Sequence, residues 1–237
     1  MKKDKNKKRL RFFYISIRVF SILLIAASII GTIVNVNEEL SHSIFVIIQA
    51  TALLILSLIP TFIEKRFKLE IPDFMESIFL VFIIAAQLAG EILSFYVHVS
   101  WWDDMLHAFS GFFIAMISFS FLNTASKDPN NRIKLNPLFI AIFVFSFAMA
   151  LGVLWEFFEF SVDYLMDGSN MMRTVNSVTG VPLEGLEAIK DTMHDLWLAS
   201  ITAGGVSLLG YIDAKMELNI FNKWIIEKAN NLKDFSK

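Results

Sequence analysis

The chain has 237 residues, of which 55% are hydrophobic and 19% charged, with no cysteine, a net charge of −2 and a mean hydropathy of +0.57. Soluble domains carry about 25% charged residues, so this composition excludes a disordered chain, a disulfide scaffold and a basic nucleic-acid-binding protein. The missing cysteine excludes thiol catalysis, Cys-ligated zinc and iron–sulfur clusters. An all-α, polytopic membrane protein in contact with the lipid bilayer is the class that remains.

Six segments are long and apolar enough to cross a bilayer, for which a helix needs about 20 mainly apolar residues. In chain order they cover residues 12–34, 43–63, 74–96, 102–123, 137–164 and 191–211. The N-terminal segment 1–11 is basic, as in a signal peptide, but the apolar run that follows exceeds 20 residues and no A-x-A site follows it. The sequence therefore predicts one domain of about six transmembrane helices over residues 12–211.

A C-terminal tail of residues 212–237 follows the last predicted span. Within it, Leu218, Phe221 and Ile225 share one helical face. Such a face, flanked by lysines, is typical of a helix that lies in the membrane interface. We therefore expect an interfacial helix over residues 216–228.

The positive residues predict that both termini are cytoplasmic. Of the 21 Lys and Arg residues, all except Arg173 and Lys190 fall in the N-terminal region, the loops after the second and fourth spans, or the tail. Cytoplasmic loops carry an excess of Lys and Arg. An even number of spans is consistent with this distribution, because it places the two termini on the same side.

Cysteine labelling tests this orientation without background, since the chain has no native cysteine. In intact cells, a membrane-impermeant thiol reagent is expected to label Ser100→Cys and Asn176→Cys and to spare Lys65→Cys and Asn130→Cys. All four variants should be labelled after the cells are permeabilised, which controls for reactivity. Labelling of Asn130→Cys in intact cells would refute the orientation.

Acidic and histidine side chains gather at the predicted outer ends of the last four spans. They are Glu91 in the third span, Asp103, Asp104 and His107 in the fourth, Glu156, Glu159 and Asp163 in the fifth, and Asp191, His194 and Asp195 in the sixth. Their spacings of three and four residues place the members of each helix on one face. Glu156 lies roughly 10 Å inside the end of its span, at 1.5 Å per residue, so it is not a loop residue.

These acids need compensation. A charged side chain at the bilayer centre costs about 2.5–3.5 kcal/mol on insertion scales. The eight acids face only Arg173 and Lys190, both in a loop, so salt bridges within the chain do not balance them. Three alternatives stay open: a bound metal, bound protons or a hydrated cavity. Oxygen and imidazole ligands together suit Mg, Mn, Fe or Zn.

The leading hypothesis is a metal-dependent membrane enzyme that acts on a lipid-linked or headgroup substrate at the outer leaflet. The metal would activate water or bind a phosphate, and Asp195 or His194 would act as the base. The predicted metal ligands are Asp103, Asp104, His107, Glu156, Glu159, Asp163 and Asp191. No H-E-x-x-H motif supports hydrolysis. Each of Asp163 and Asp191, taken alone, is also typical of an ordinary interfacial residue.

Two other functions stay open. The acids would form the outer vestibule of a cation- or proton-coupled transporter, although the inner halves of the spans are almost free of ionisable residues. In a structural or accessory membrane protein, the same residues would hold a metal or water inside the helix bundle. The sequence leaves the oligomeric state open.

The motifs W-W-D-D-M-L-H (101–107), G-V-L-W-E-F-F-E (152–159) and D-T-M-H-D-L (191–196) resemble the YjdF family of bacterial membrane proteins. This resemblance covers most of the chain from the third span to the sixth, and it implies a helical bundle in the bacterial plasma membrane. It implies no particular activity. A weaker similarity is to VanZ-like proteins, which share the acids and histidine at Asp103, His107 and Glu156 but have Lys and Gln where this chain has Asp104 and Glu159.

Overall fold

The computed structural model describes residues 2–34, 40–127, 135–165, 169–176, 179–218, 220–221 and 227–228. Within these residues the chain is almost entirely helical. The helices are α1 (Lys2–Val34), α2 (Leu40–Phe67), α3 (Asp73–Ile83), α4 (Phe95–His98), α5 (Trp102–Lys127), α6 (Pro137–Leu165) and α7 (Leu186–Met216), and α3 continues as a π-helix (Ile84–Ile92). Two short strands, β1 (Leu69–Glu70) and β2 (Glu227–Lys228), pair antiparallel.

Six helical segments of the described chain are long and apolar enough to cross a membrane. They are Lys7–Val34, Ser43–Phe67, Asp73–Ile92, Trp102–Asn123, Pro137–Leu165 and Leu186–Met216. Each coincides with one predicted span, so the prediction of an all-α, six-span protein is confirmed. The orientation stays a prediction. So does the interfacial helix of the tail, because residues 219 and 222–226 lie outside the described residues.

The third and sixth spans end at different residues from those predicted. The third span stops at Ile92, because Ser94 adopts a left-handed backbone conformation with φ of 58° that a continuous helix does not allow. The sixth span is longer than the predicted 191–211 at both ends, since polar residues continue the helical hydrogen bonding beyond the apolar stretch. Hydropathy reports the apolar part of a helix and not its last turns.

The sequence predicts a single transmembrane domain, whereas the contacts group into two compact units. Unit 1 comprises Met1–Trp102 and Ile226–Lys237, and unit 2 comprises Asp103–Ile225. In unit 1, the guanidinium of Arg18 on α1 donates hydrogen bonds to the carbonyl oxygen (2.7 Å) and the hydroxyl (3.2 Å) of Ser57 on α2. The core of unit 1 contains Leu10, Tyr14, Leu53, Leu80 and Ile83.

Unit 2 consists of α5, α6, α7 and the loop before α7. Its core contains Ala115, Met116, Phe119, Ile140, Val144, Ala148, Ala203, Val206 and Phe221. Helices α5 and α7 approach closely at two glycines, as small residues allow in membrane helix pairs. A Cβ atom on Gly111 would lie 2.5 Å from the carbonyl oxygen of Ala199, and one on Gly210 would lie 2.5 Å from Cε2 of Phe119. Position 111 therefore requires glycine, because its neighbour is backbone, whereas a larger residue at position 210 would displace the ring of Phe119.

Replacement of Gly111 by alanine is expected to destabilise unit 2 by about 1–3 kcal/mol, the usual cost of overpacking. The added methyl group meets backbone atoms of Ala199, which have no alternative rotamer. Gly205→Ala is the matched control on α7, because a Cβ atom at that position would meet no neighbouring atom within 4 Å. Thermal unfolding of the purified protein in detergent measures the difference. Equal melting temperatures for the two variants would contradict this close approach.

Candidate metal centre

Three helices of unit 2 bring their polar residues to one end. The first turns of α5 and α7 and the last turns of α6 meet there, because α6 runs antiparallel to the other two in the bundle. We call the following eight residues the polar cluster: Asp103, Asp104, His107, Glu156, Glu159, Asp191, His194 and Asp195. Each helix contributes residues three or four positions apart, so that each set shares a face.

The deepest part of the polar cluster is formed by His107, Glu156 and Glu159, which we call the inner group. One ligand atom from each residue lies within 4.8 Å of the other two. Glu159 accepts a hydrogen bond of 2.8 Å from the indole nitrogen of Trp155, one turn earlier on α6. An acidic and histidine cluster is therefore present at the ends of these helices, and the role of its members as a site stays a prediction.

Glu156 is the least satisfied member of the inner group. Its residue is only 5% exposed, and both carboxylate oxygens are buried without a hydrogen-bond partner. The hydroxyl of Thr192 lies near this carboxylate, but the two groups do not meet hydrogen-bond geometry. Buried polar atoms are nearly always paired. The two oxygens of Glu156 are therefore available to a cation or to a hydrogen-bond donor.

His107 also belongs to a second set with Asp103 and Asp195. Its Nε2 lies 3.5 Å from Oδ1 of Asp103 and 3.9 Å from Oδ2 of Asp195. Asp195 is 1% exposed, and its other oxygen, Oδ1, has no hydrogen-bond partner. His107 therefore links the inner group to the acids of α5 and α7.

A third set, the outer group, comprises Asp104, His194 and Asp195. Nδ1 of His194 lies 3.3 Å from Oδ1 of Asp104, and the His194 side chain is 54% exposed. Both residues line an open cavity of about 390 Å³ together with Arg173, Leu183, Glu187, Lys190 and Asp191. Asp104 and His194 are therefore reachable from outside the bundle, whereas Asp195 and Glu156 are buried.

One cation enters the polar cluster from the loop before α7. The guanidinium of Arg173 lies 3.2 Å from Oδ2 of Asp103 and 3.1 Å from Oδ1 of Asp191, and so joins α5 to α7. Burial lowers the pKa of Arg173 while the carboxylates of Asp103, Asp191 and Asp195 raise it, and the net change is upward. Arg173 is therefore held as a cation. The sequence identified it as a loop cation but not as this bridge.

Asp163 has a different position from that predicted for a metal ligand. Its carboxylate accepts hydrogen bonds from the hydroxyl of Ser169 (2.7 Å) and from the backbone N–H groups of Met171 (2.8 Å) and Met172 (2.9 Å). It belongs to none of the three ligand groups found in the described residues. Asp163 thus anchors the loop that carries Arg173, while Asp191, another predicted ligand, pairs with Arg173 itself.

Two further side chains near the cluster were not singled out from the sequence. Trp155 donates a hydrogen bond from its indole nitrogen to Glu159. The four-residue spacing between this indole and the acid on the same helix is the sequence pattern that would have indicated the contact. Thr192 follows Asp191 on α7 and faces Glu156. Glu91, in contrast, lies in the π-helix (Ile84–Ile92), which belongs to unit 1.

The charges of the polar cluster do not balance. It contains six carboxylates and two imidazoles, and Arg173 is the single Lys or Arg that pairs with it among the described residues. Even with both imidazoles protonated, the negative charges outnumber the positive ones by three. Charges buried in a membrane domain are usually paired. A divalent cation, several protons or a hydrated cavity would compensate the remaining charge.

The chain belongs to the family described as "Predicted membrane protein (DUF2238)", whose profile matches residues 17–215. It is also 26% identical, over 114 residues, to an uncharacterised protein of Thermotoga maritima. That alignment covers 48% of this chain and 57% of the relative. The chain therefore matches a little over half the length of this curated relative. No solved structure matches, and these matches do not support the similarity to VanZ-like proteins.

Proposed function

We propose that this protein is a metal-dependent enzyme of the bacterial plasma membrane that acts on a lipid-linked or headgroup substrate at the outer leaflet. The ligands of its divalent cation are His107, Glu156 and Glu159 of the inner group. We further propose that the family it belongs to is the YjdF family. The observation that supports a metal site is that neither of the buried carboxylate oxygens of Glu156 has a hydrogen-bond partner.

A cation accounts for both oxygens of Glu156 at once. A proton shared with Glu159, whose ligand atom lies within 4.8 Å, would pair one of these oxygens and leave the other without a donor. A buried acceptor without a partner costs about 1–3 kcal/mol. A divalent ion would instead use the carboxylate oxygens directly, and it would reduce the repulsion between Glu156 and Glu159.

The ligand set indicates which ions suit the site. Two carboxylates and one imidazole favour Zn, Mn or Fe, and Mg less, since Mg prefers oxygen ligands. Three protein ligands leave coordination positions for water or substrate, as in catalytic zinc sites. When bound, the ion would supply Lewis-acid polarisation or an activated water. Asp195, beside His107, would accept a proton, and His194 would do so at the cavity.

A lipid headgroup is the substrate class that fits the position of the site. The cavity beside the polar cluster opens at the ends of α5 and α7, where membrane helices meet the headgroup region. Arg173 and Lys190 line this cavity beside Asp104, Glu187 and Asp191, so a bound divalent cation would supply most of the positive charge that a phosphate needs. The predicted orientation places this end at the outer leaflet.

A cation- or proton-coupled transporter is the second candidate, and buried serines favour it. Ser118, Ser120 and Ser207 are buried in unit 2 beyond the polar cluster, and the hydroxyl of Ser207 has no partner. However, Ser118 donates to the backbone oxygen of Ile114 in its own helix. The described residues of α5 to α7 therefore provide few polar groups along which an ion or a proton could cross the membrane. Metal-driven uptake into proteoliposomes would favour this alternative.

The test of the proposed function is the metal content of the purified protein, wild type against Glu156→Gln. We expect at least one Zn, Mn or Fe ion per wild-type chain and loss of an ion in the variant, because a neutral amide is a poor ligand. Glu187→Gln is the matched control, since Glu187 is an exposed acid on α7 that belongs to none of the ligand groups.

The enzyme is tested on vesicles of phosphatidylglycerol and phosphatidylethanolamine containing the metal-loaded protein. Mass spectrometry is expected to detect a headgroup released or transferred by the wild type and not by Glu156→Gln. Metal-free wild-type protein, or equal metal content in Glu156→Gln, would overturn the metal site. If the metal-loaded protein leaves the vesicle lipids and added lipid-linked phosphates unchanged, the proposed enzymatic activity is overturned.

A further inference from the structure

We propose that the polar cluster holds a second divalent cation, bound by Asp104, His194 and Asp195 of the outer group. This inference rests on the proposed function and extends it from one ion to a pair. With both ions bound, Asp195 and His194 would act as ligands, and the second ion would supply the activated water in place of these two bases. The inner and outer groups share no residue, and each consists of two carboxylates and one imidazole. The chain thus contains two complete ligand sets of the same composition.

Asp195 provides the independent observation that points to a ligand. Its side chain is fully buried, and its two oxygens differ in their surroundings: Oδ2 faces His107 at 3.9 Å, whereas Oδ1 has no hydrogen-bond partner. One oxygen of Asp195 therefore faces His107 of the inner group, and the other oxygen has no partner. A carboxylate in this position is suited to bridge two ions. Without a cation, Oδ1 would remain a buried acceptor with no donor, which is costly.

The distance between the other two outer ligands fits an ion. Two ligands that bind one tetrahedral zinc at about 2.0–2.2 Å lie about 3.3–3.6 Å apart. Nδ1 of His194 and Oδ1 of Asp104 are 3.3 Å apart. The pair therefore needs little rearrangement to bind one cation together.

Charge also favours two ions over one. With both imidazoles neutral, the six carboxylates and Arg173 leave five negative charges in the polar cluster. One divalent cation leaves three, and a second leaves one. Because uncompensated charge is expensive inside a membrane domain, the doubly occupied cluster is the most favourable of these states.

The two positions differ in access, and this difference defines their roles. Glu156 is buried, whereas Asp104 and His194 line the cavity and are partly exposed. The outer ion therefore exchanges faster and is the one that a substrate in the cavity meets. Paired divalent ions bind the oxygens of phosphoryl groups, so the substrate class that fits is a phosphate ester carried by a headgroup.

The experiment is a metal titration of chelator-stripped protein with Mn²⁺ or Zn²⁺, using His194→Ala, Asp104→Asn and Glu156→Gln beside the wild type. We expect two ions per wild-type chain and one in each variant. The ion lost in His194→Ala is expected to be the one that a chelator removes first from the wild type. Glu187 lines the same cavity, and Glu187→Gln should retain both ions.

Electron paramagnetic resonance of the Mn²⁺-loaded protein provides a second measurement. A spin-coupled pair is expected in the wild type and a mononuclear signal in His194→Ala. His194 is exposed, so this variant is expected to fold, and gel filtration checks that it does.

If the wild type binds a single ion, which His194→Ala keeps and Glu156→Gln loses, the second cation is overturned. The proposed function is unaffected by this result. No bound ion in the wild type would overturn both. Two ions that persist in both His194→Ala and Asp104→Asn would overturn the assignment of the outer ligands.

Discussion

Glu156→Gln is expected to lower the melting temperature of the purified protein and to reduce its dependence on divalent metal, because only the outer group would still bind an ion. Glutamine keeps the size of the side chain but loses the negative charge that binds the cation. At a free metal concentration 100 times the dissociation constant, a bound ion stabilises the folded state by about 2.7 kcal/mol. Thermal unfolding in detergent, with and without a chelator, measures this loss.

The same substitution distinguishes a metal from protons. If protons neutralise the polar cluster, the amide of Glu156→Gln or Asp191→Asn mimics the neutral acid, and stability stays level or rises. Glu187→Gln, at an exposed position on α7, controls for the general effect of removing an acid. Chelator-insensitive melting of the wild type, together with unchanged or higher stability of both amide variants, would contradict the metal.

Arg173→Gln is expected to destabilise metal-free protein by about 1.5–3 kcal/mol, the usual contribution of a hydrogen bond that involves charged groups. The substitution leaves Asp103 and Asp191 without the guanidinium that joins them. It also makes the polar cluster more negative, so that divalent metal should bind more tightly and restore more stability than in the wild type. Thermal unfolding across a metal titration measures both effects.

Two variants separate the bridge from simple loss of a positive charge. Arg173→Lys keeps the charge but not the planar, two-pronged donor, and should recover part of the stability. Lys190→Ala should have little effect, because Lys190 pairs at 3.2 Å with Glu187 on an exposed surface, where ion pairs contribute little. Equal stability of Arg173→Gln and Lys190→Ala would show that the bridge does not stabilise the fold.

The spans were predictable from the sequence because each is a long apolar run with few charges, and a membrane helix needs little else. The end of the third span was not, since it depends on the left-handed conformation of Ser94, a residue with no special preference for it. The polar turns at both ends of α7 were not predicted either, because hydropathy does not report helical hydrogen bonds.

The three ligand groups were also largely predictable, because acids and histidines three or four residues apart must share a helix face. The position of Arg173 was not. It depends on a backbone φ of 49° at Arg173 and on the hydrogen bonds that Asp163 accepts from residues six to nine positions later. Neither a strained backbone angle nor a loop anchored by such contacts leaves a periodic pattern in the sequence.

The two glycine contacts between α5 and α7 restrict the geometry of the polar cluster. Gly111 meets Ala199 one turn below His107 and Asp195, and Gly210 meets Phe119 further along the pair. The distance between the two helices, and with it the separation of the His107 and Asp195 side chains, therefore depends on residues that do not belong to the polar cluster. A larger side chain at position 111 would change the arrangement of these two groups from one helical turn away.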